Sequence, residues 1–207
     1  NHVGSTTGIA LGIDGQTGTW TQNGGTLLSD GAVRFGHNGG TALLNLNGGT
    51  FEVPTIAVDS VAAPSVARIN LNGGELKAAA AGNLIVDAPT PVLQLLVQSG
   101  GAVINSNAHD VTVNPAMIED PGSVGGGLTK LGAGRLTLGG ANAYTGDTLV
   151  MEGELAVDGS ITSDVTVAGG AALMGSGIIG GNVLVGDGAE VAPGSSIGTL
   201  TITGDLT

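Results

Sequence analysis

Apolar and polar residues alternate along most of the chain in short stretches. Leu44 and Leu46 flank Asn45, and Leu155 and Val157 lie two positions apart in the same way. Such alternation is typical of β-strands, whose side chains point by turns to opposite faces. Gly, Asn or Asp interrupts each stretch after about three to five residues, and no helical period is sustained. The pattern therefore predicts an all-β fold of short strands.

A motif also repeats along the chain. LLNLNGGTFEV at 43–53 returns as RINLNGGELKA at 68–78, at an offset of 25. The triplet Asn-Gly-Gly begins at Asn23, Asn47 and Asn72, and a looser copy follows at 98–101. The offset aligns Leu44 with Ile69, Leu46 with Leu71 and Phe51 with Leu76. We therefore expect each repeat to place like residues in like positions.

The period becomes shorter in the last third of the chain. VTVAGGAALMGSG at 165–177 aligns with VLVGDGAEVAPGS at 183–195 at an offset of 18. We expect Leu200-Thr201-Ile202 to continue this series at a further offset of 17. Short strands at such a period, without helices between them, predict a right-handed parallel β-helix (β-solenoid) of roughly nine coils, about 45 Å long at the spacing between strands.

Composition agrees with tight corners around an aliphatic core. The chain has 40 Gly among 207 residues, and only 2% of its residues are aromatic. Gly adopts the positive φ that sharp corners require, and Asn tolerates it. Asn23, Asn47 and Asn72 therefore have two interpretations, as a ladder of stacked amides or as left-handed corner residues.

Charge and cysteine content exclude several classes of function. The formal net charge is −12, and the five Lys and Arg residues are scattered. Such a chain repels phosphate backbones and anionic lipid, so we predict neither nucleic-acid binding nor direct membrane insertion. No apolar run reaches the ~18 residues of a membrane helix. The absence of Cys removes disulfides and thiolate chemistry.

Two carboxylate pairs are candidates for glycoside hydrolysis, which requires two suitably spaced carboxyl groups. Glu152 and Glu154 lie two positions apart, and Glu119 is adjacent to Asp120. With 17 carboxylates in the chain, some proximity arises by chance. We therefore interpret both pairs as solvated surface.

No other motif predicts a site. His2, His37 and His109 lack metal-ligand spacing, and His109 next to Asp110 indicates a polar corner. No sequence motif supports calcium binding at a corner such as Asp187. Lys130 belongs to a strand and its turn rather than to a phosphate-binding loop. We predict no catalytic, cofactor-binding or metal-binding residue, no cofactor and no enzymatic activity.

The aromatic residues Tyr144 and Trp20 are candidates for stacking on glycans. For Tyr144 we favour packing in the core. Trp20 is left open between the two roles.

One segment resembles a known family. GGLTKLGAGRLTLGGANAYTGDTLVMEGELAVDG, at 126–159, is similar to the passenger-associated repeat of autotransporters, with pattern GG-L-x-K-x-G-x-G-x-L-x-L-x-G-x-N-x-Y-x-G-x-T. The tail up to Leu206 is similar to the stretch that often follows this repeat. Residues 1–125 resemble other repeat-bearing surface proteins only in style.

The resemblance implies a secreted β-helical stalk at the bacterial cell surface, with an outer-membrane β-barrel downstream in the parent protein. A region near the repeat assists folding in some members. We expect one β-helix over 1–207, divided into long coils at 1–125, the repeat at 126–159 and short coils at 160–207. Since the chain begins with Asn1, we expect a processed piece or a fragment.

The function we predict is a rigid, non-enzymatic spacer. A first alternative is a fibre or sheath subunit that self-associates through terminal coils near Asn1 and Leu206. A second is an adhesin that binds glycans through a sheet face or an irregular loop at 54–67 or 105–125. A third is a carbohydrate-active enzyme, since parallel β-helices include such enzymes.

Overall fold

The computed structural model describes residues 8–36, 39–58, 66–86, 93–194 and 198–207, which form 24 strands. His2, His37 and Asn1 lie outside these residues. The strands, in chain order, are β1 (Ile9–Leu11), β2 (Thr17–Leu28), β3 (Val33–Phe35), β4 (Thr41–Val53), β5 (Ile56–Val58), β6 (Val66–Leu71), β7 (Glu75–Ala78), β8 (Gly82–Ile85), β9 (Leu93–Val97), β10 (Ala102–Asn105), β11 (Val111–Val113), β12 (Met117–Glu119), β13 (Leu128–Leu131), β14 (Arg135–Leu138), β15 (Ala141–Asn142), β16 (Thr148–Val150), β17 (Glu154–Val157), β18 (Ser160–Ile161), β19 (Val165–Val167), β20 (Ala172–Gly175), β21 (Ile178–Ile179), β22 (Val183–Val185), β23 (Glu190–Pro193) and β24 (Thr201–Ile202).

Parallel pairing stacks these strands on three faces. Face 1 consists of the first halves of β2 and β4, then β6, β9, β12, β15, β18, β21 and β24. Face 2 consists of the second halves of β2 and β4, then β7, β10, β13, β16, β19 and β22. Face 3 consists of β1, β3, β5, β8, β11, β14, β17, β20 and β23. The chain visits the faces in the order 1, 2, 3, which makes a parallel β-helix, as predicted.

The described residues complete eight turns from β2 to β23, with β1 before them and β24 after them. Two strands are longer than the pattern predicts, because β2 and β4 continue through the corner between faces 1 and 2. Their pairing is irregular around Asn23. The first halves of both strands thus belong to face 1 and the second halves to face 2.

Most of the predicted registers are confirmed. Leu44 pairs with Ile69 and Leu46 with Leu71, and Phe51 pairs with Leu76. In the short turns, Val165 pairs with Val183, as the aligned copies predicted.

One predicted register is wrong. We expected Leu200-Thr201-Ile202 to stack on the strand at Val183. Instead Thr201 and Ile202 pair with Ile178 and Ile179 on face 1, and Leu206 bridges to Val183. The last turn is longer than the two before it, so the series shifts by one face.

The core is a set of inward-facing columns with one residue from each turn. On face 2 the register joins Leu27, Phe51, Leu76, Ile104, Lys130, Val150, Val167 and Val185. Burial alternates along the strands, as in β4, because successive side chains point in and out. Aliphatic packing along these columns supplies most of the stabilisation.

Asparagine amides stack along the corner between faces 1 and 2. Asn47 Nδ2 donates to Asn23 Oδ1 at 2.9 Å, and Asn72 Nδ2 donates to Asn47 Oδ1 at 3.4 Å. The predicted amide ladder is therefore confirmed. The left-handed interpretation is wrong, because the positive φ at this corner belongs to glycines such as Gly49, at 74°.

A second ladder follows the outer surface of face 1. Asn45 Nδ2 donates to Thr21 Oγ1 at 3.0 Å, and Asn70 Nδ2 donates to Asn45 Oδ1 at 2.7 Å. The ladder ends there because the next residue in register is Leu96. Asn70 Oδ1 is buried and accepts no hydrogen bond from the described residues.

The two candidate irregular loops have different outcomes. Much of 54–67 lies outside the described residues. The stretch 105–125 is not an irregular loop, because β11 and β12 lie within it. In the part of the chain that the structure describes, no helix is long and apolar enough to cross a membrane.

Candidate functional site

The first carboxylate pair is bound to neighbouring turns. Glu154 Oε2 accepts a hydrogen bond from Arg135 Nε at 2.8 Å, and Glu152 Oε2 accepts one from the amide of Gly132 at 3.1 Å. Glu152 is exposed and Glu154 is half-buried. Both groups therefore hold adjacent turns together at the surface.

The second pair is also held by hydrogen bonds. The Thr145 hydroxyl and then the Gly125 amide, at 2.8 Å, donate to Glu119 Oε1 and lower the pKa of this carboxyl. The Gln98 amide donates to Asp120 Oδ2 at 2.6 Å and is the main cause of the lowered pKa of Asp120. A general acid of a glycosidase needs the opposite shift. The geometry therefore favours ionised, structural carboxylates.

His109 lies in the turn between β10 and β11, as a polar corner residue, and its amide donates to Ser106 O at 2.9 Å. Asp187 lies in an exposed turn between β22 and β23. Within the described ranges, no three His, Asp or Glu residues are close enough together to hold a metal ion.

The two aromatic candidates both contribute to the core. Tyr144 is fully buried, which confirms packing over glycan stacking. Trp20 is half-buried and packs against the core, and its Nε1 donates to Gln22 Oε1 at 3.3 Å. Tyr144 therefore offers no stacking surface, whereas Trp20 remains partly exposed.

The chemically distinctive part of the molecule is a cluster of buried polar side chains inside the turns of the repeat. Its members are Ser106, Lys130, Asn142, Thr148 and Ser163, together with the Tyr144 hydroxyl. We call this set the inner polar cluster.

Lys130 is the charged member and has no exposed surface. It lies on β13 in an aliphatic column, between Ile104 of the preceding turn and Val150 of the following turn. An ammonium group in such a position must be compensated by hydrogen bonds. The surrounding corners supply them.

Four oxygens surround the Lys130 ammonium. Nζ lies 2.7 Å from Gly132 O, 2.9 Å from Leu131 O, 2.9 Å from Glu152 O and 3.0 Å from Ser106 Oγ, so its three N–H donors are shared among four acceptors. Ser106 belongs to the turn before Lys130, and Glu152 to the turn after it. One side chain therefore joins three consecutive turns.

Two electrostatic effects on the pKa of Lys130 oppose each other. Burial lowers the pKa of Lys130 to about 8, while the nearby carboxylates of Glu152 and Glu154 raise it. The group is closed to solvent, so no substrate can reach Nζ. Lys130 is therefore suited to holding backbone carbonyls rather than to nucleophilic chemistry.

The Tyr144 hydroxyl belongs to a second part of the cluster. It lies 2.6 Å from Thr148 Oγ1, which in turn lies 3.4 Å from Ser163 Oγ in the next turn. Burial raises the pKa of Tyr144, so the hydroxyl remains protonated and can donate. This chain of hydroxyls passes from one turn to the next within the core.

Asn142 satisfies backbone groups on three turns. Its Oδ1 accepts from the Met117 amide at 3.0 Å, and its Nδ2 donates to Gly140 O at 2.9 Å and to Ser160 O at 3.0 Å. These bonds replace pairing that the short strand β15 does not provide. Each polar side chain of this region thus completes the backbone hydrogen bonding of a corner.

Sequence reasoning missed the inward direction of Lys130, which we assigned only to a strand and its turn. The alternation contained the signal, because Leu128 and Lys130 lie two positions apart and therefore face the same side. The hydrogen-bond partners could not be found in the same way. Ser106 and Glu152 are 24 and 22 residues away, and only the register brings them together.

Comparison with known families gives one match. Residues 128–157 match the model of the passenger-associated-transport-repeat family. The resemblance predicted from 126–159 is thereby confirmed for this segment, which is similar to a passenger-associated transport repeat. Lys130, Asn142, Tyr144 and Thr148 all lie within the matched residues.

Comparison with curated proteins finds no match. Comparison with solved structures finds none either.

Proposed function

We propose that this chain, which carries a passenger-associated transport repeat, is a rigid structural segment of a secreted bacterial surface protein. Its role is that of a passenger stalk, which separates other parts of the protein from the outer membrane. We propose a downstream outer-membrane β-barrel as the partner in the parent protein. The mechanism is mechanical and not enzymatic.

The observation that carries this proposal is the direction of the polar residues of the repeat. Lys130, Asn142 and Tyr144 point into the core, and their hydrogen bonds go to the chain itself. A catalytic or binding site would direct such groups toward solvent or a cleft. These residues instead join successive turns.

Uniform stacking supports a role as a spacer. Eight turns at the spacing between strands give a rod of about 40 Å. Each turn contacts mainly its neighbours, so the stability of such a rod is close to a sum over turns and their interfaces. A rod of this kind keeps the segments at its two ends at a fixed distance from each other.

Surface display tests the proposal. We would place the chain between an N-terminal epitope and an autotransporter β-barrel and label intact cells with an antibody. We expect the epitope at the surface, with less display for Lys130→Met than for Lys77→Met, which changes a lysine on the outer surface. Retention of the epitope in the periplasm, while the same barrel displays another β-helical passenger, would contradict the stalk.

Self-assembly is the alternative function, and it would require strands at the end of the rod to pair with a second copy of the chain. β23 is the last strand of face 3 in the described residues, and it contains Glu190 and Pro193. Pro lacks an amide donor, and charged residues and Pro both disfavour edge pairing. These residues weigh against stacking on that face. Negative-stain microscopy over a concentration series should show dispersed short rods, and regular filaments would make assembly the function instead.

Glycan binding and polysaccharide cleavage find less support. The chain has one Trp, one Tyr and two Phe, and of these only Trp20 is partly exposed. A sugar could therefore stack on one ring at most among the described residues. Incubation with a panel of polysaccharides should release no products, and a glycan array should show no retention above that of a denatured sample.

A further inference from the structure

The amide ladder consists of residues with a known chemical weakness. Asn23, Asn47 and Asn72 are each followed by Gly. In an Asn-Gly sequence the glycine nitrogen attacks Asn Cγ with little steric hindrance, a succinimide ring closes and ammonia leaves. Water then opens the ring to aspartate or isoaspartate. The reaction needs no enzyme, only a side-chain amide and a backbone that are free to approach each other.

Asn72 is held at both ends of its side chain. Nδ2 donates to Asn47 Oδ1 at 3.4 Å, and Oδ1 accepts from the Gly100 amide at 2.9 Å. The attacking nitrogen is also engaged, since the Gly73 amide donates to Gly101 O at 2.8 Å. Ring closure at Asn72 must break all three bonds.

Asn47 lies in the middle of the ladder. Nδ2 donates to Asn23 and Oδ1 accepts from Asn72. Its strand, β4, pairs with β2 on one side and with β6 and β7 on the other. Local opening at Asn47 therefore disturbs two interfaces between turns.

Asn23 has only one such restraint. Its Oδ1 accepts from Asn47, while its Nδ2 donates to none of the described residues. The side chain is exposed, as that of Asn47 is. The pairing of β2 with β4 is irregular around both residues, since Asn23 pairs with Gly48 and Asn47 is skipped. The number of side-chain hydrogen bonds is therefore what distinguishes Asn23 from Asn47 and Asn72.

We propose that the ladder protects Asn47 and Asn72 and directs deamidation to Asn23. Conversion of Asn23 to aspartate keeps an oxygen facing Asn47 Nδ2, so the ladder survives. A carboxylate at position 47 would keep the bond from Asn72 but would require the exposed Asn23 amide to turn its Nδ2 toward it. The ladder thus determines where the reaction starts.

Peptide mass spectrometry of the full chain, aged in mildly alkaline buffer, tests this proposal. We expect Asn23 to react at least about tenfold faster than Asn47 and Asn72 while the chain is folded, because reaction rates follow local opening. In urea the three rates should become similar. Equal rates in the folded chain, or faster reaction at Asn47 or Asn72, would overturn the proposal. Asn38 also precedes Gly and lies outside the described residues. Its deamidation rate, measured in the same samples, is a reference for the other three rates.

A pair of variants separates the ladder from general stability. Asn47→Ala removes both ladder bonds of the middle residue, and we expect faster reaction at Asn23 and Asn72. Asn45→Ala breaks the neighbouring ladder on face 1 and should leave both rates unchanged. Similar acceleration by the two variants would show that the amide ladder gives no specific protection, and the proposal would fail.

Discussion

The early turns and the turns of the repeat differ in how many polar side chains they bury. From β2 to β9, the stacked Asn and Thr residues lie on the outer surface or at an exposed corner, and the buried polar side chains are Gln22 and Ser29 of the first turn. From β13 to β19, the buried polar side chains are Lys130, Asn142, Thr148 and Ser163. A hydrogen bond at the surface competes with water and contributes little. A buried polar group that is left without a partner destabilises the fold by its full desolvation penalty. The repeat should therefore depend on its polar residues far more than the early turns do.

Turn length accompanies this difference. The early turns are long, since Leu44 pairs with Ile69, whereas the turns of the repeat are short, since Val150 pairs with Val167. In the repeat, Lys130 binds the corner carbonyl of Gly132. In a long early turn, the buried Gln22 binds the corner carbonyl of Gly24 at 2.8 Å. Inner polar residues thus complete corners in turns of both lengths, and the repeat contains more of them.

The largest effect is expected at a glycine of the repeat, with an open glycine of the first turn as its control. A Cβ at Gly134 would lie 2.1 Å from the carbonyl oxygen of His109 in the adjacent turn, whereas one at Gly24 meets nothing within 4 Å. Gly134→Ala should therefore cost about 4 kcal/mol or more in the free energy of unfolding. Gly24→Ala should be neutral or stabilise by about 0.5 kcal/mol. Urea unfolding followed by circular dichroism measures both, and similar midpoints would refute the close approach of turns at Gly134.

The next effect is expected at Lys130. Lys130→Met retains most of the volume but leaves the carbonyl of Glu152 without this donor and the carbonyl of Gly132 with only the longer bond from Ser106, so we expect a loss of about 2 to 4 kcal/mol. Lys77→Met is the matched control on the outer side of face 2, where Lys77 pairs with Glu52 at 3.2 Å. That partly exposed pair should contribute less than about 1 kcal/mol. Equal losses in thermal or urea unfolding would contradict the inner role of Lys130.

The pH dependence of stability sharpens the same contrast. Burial lowers the pKa of Lys130 to about 8, against 10.5 for a free lysine. In the interval between these values unfolding takes up a proton at Lys130, so its contribution to the free energy of unfolding rises with pH. Lys130→Met should lose this rise and Lys77→Met should keep it. Urea titrations at several pH values between about 8 and 10 would show the difference.

A smaller effect is expected at Tyr144. Tyr144→Phe removes the hydroxyl bonded to Thr148 and should cost about 1 to 2 kcal/mol. Because burial raises the pKa of Tyr144, this stabilisation is present below about pH 10 and decreases at higher pH, where unfolded tyrosine ionises. Tyr144 is the single tyrosine of the chain. Phenolate absorbance should therefore appear only together with unfolding, and ionisation of the folded chain near pH 10 would show that the ring is open to water.

The smallest effect is expected in the surface ladder. Asn45→Ala removes the bonds to Thr21 and Asn70, which compete with water, so we expect a loss of about 0.5 kcal/mol. Asn142→Ala is the counterpart in the core, since it removes the acceptor of the Met117 amide and a donor to the carbonyls of Gly140 and Ser160, and it should cost several times more. Comparable losses for the two variants in urea unfolding would remove the distinction between outer and inner polar residues.

Local pattern was sufficient for the fold. Alternation at Leu44 and Leu46 and the offsets between aligned copies predicted strands, parallel stacking and register. The register failed at Leu200, because the last turn is longer and no local pattern reports which face a strand joins. The inner polar cluster was not predicted, since its partners are one turn apart and depend on how each corner is closed. The division into 1–125, 126–159 and 160–207 stays a prediction.

The shortening of the turns has a mechanical consequence. A turn that detaches under tension along the rod releases its own length of chain, which is 25 residues from Leu44 to Ile69 and 17 residues from Val150 to Val167. At about 3.3 Å per extended residue, each early turn lengthens the molecule by more than each short turn does. Pulling on the rod should therefore extend it in larger steps in the early turns, while the bonds of Lys130 to three turns resist detachment in the repeat.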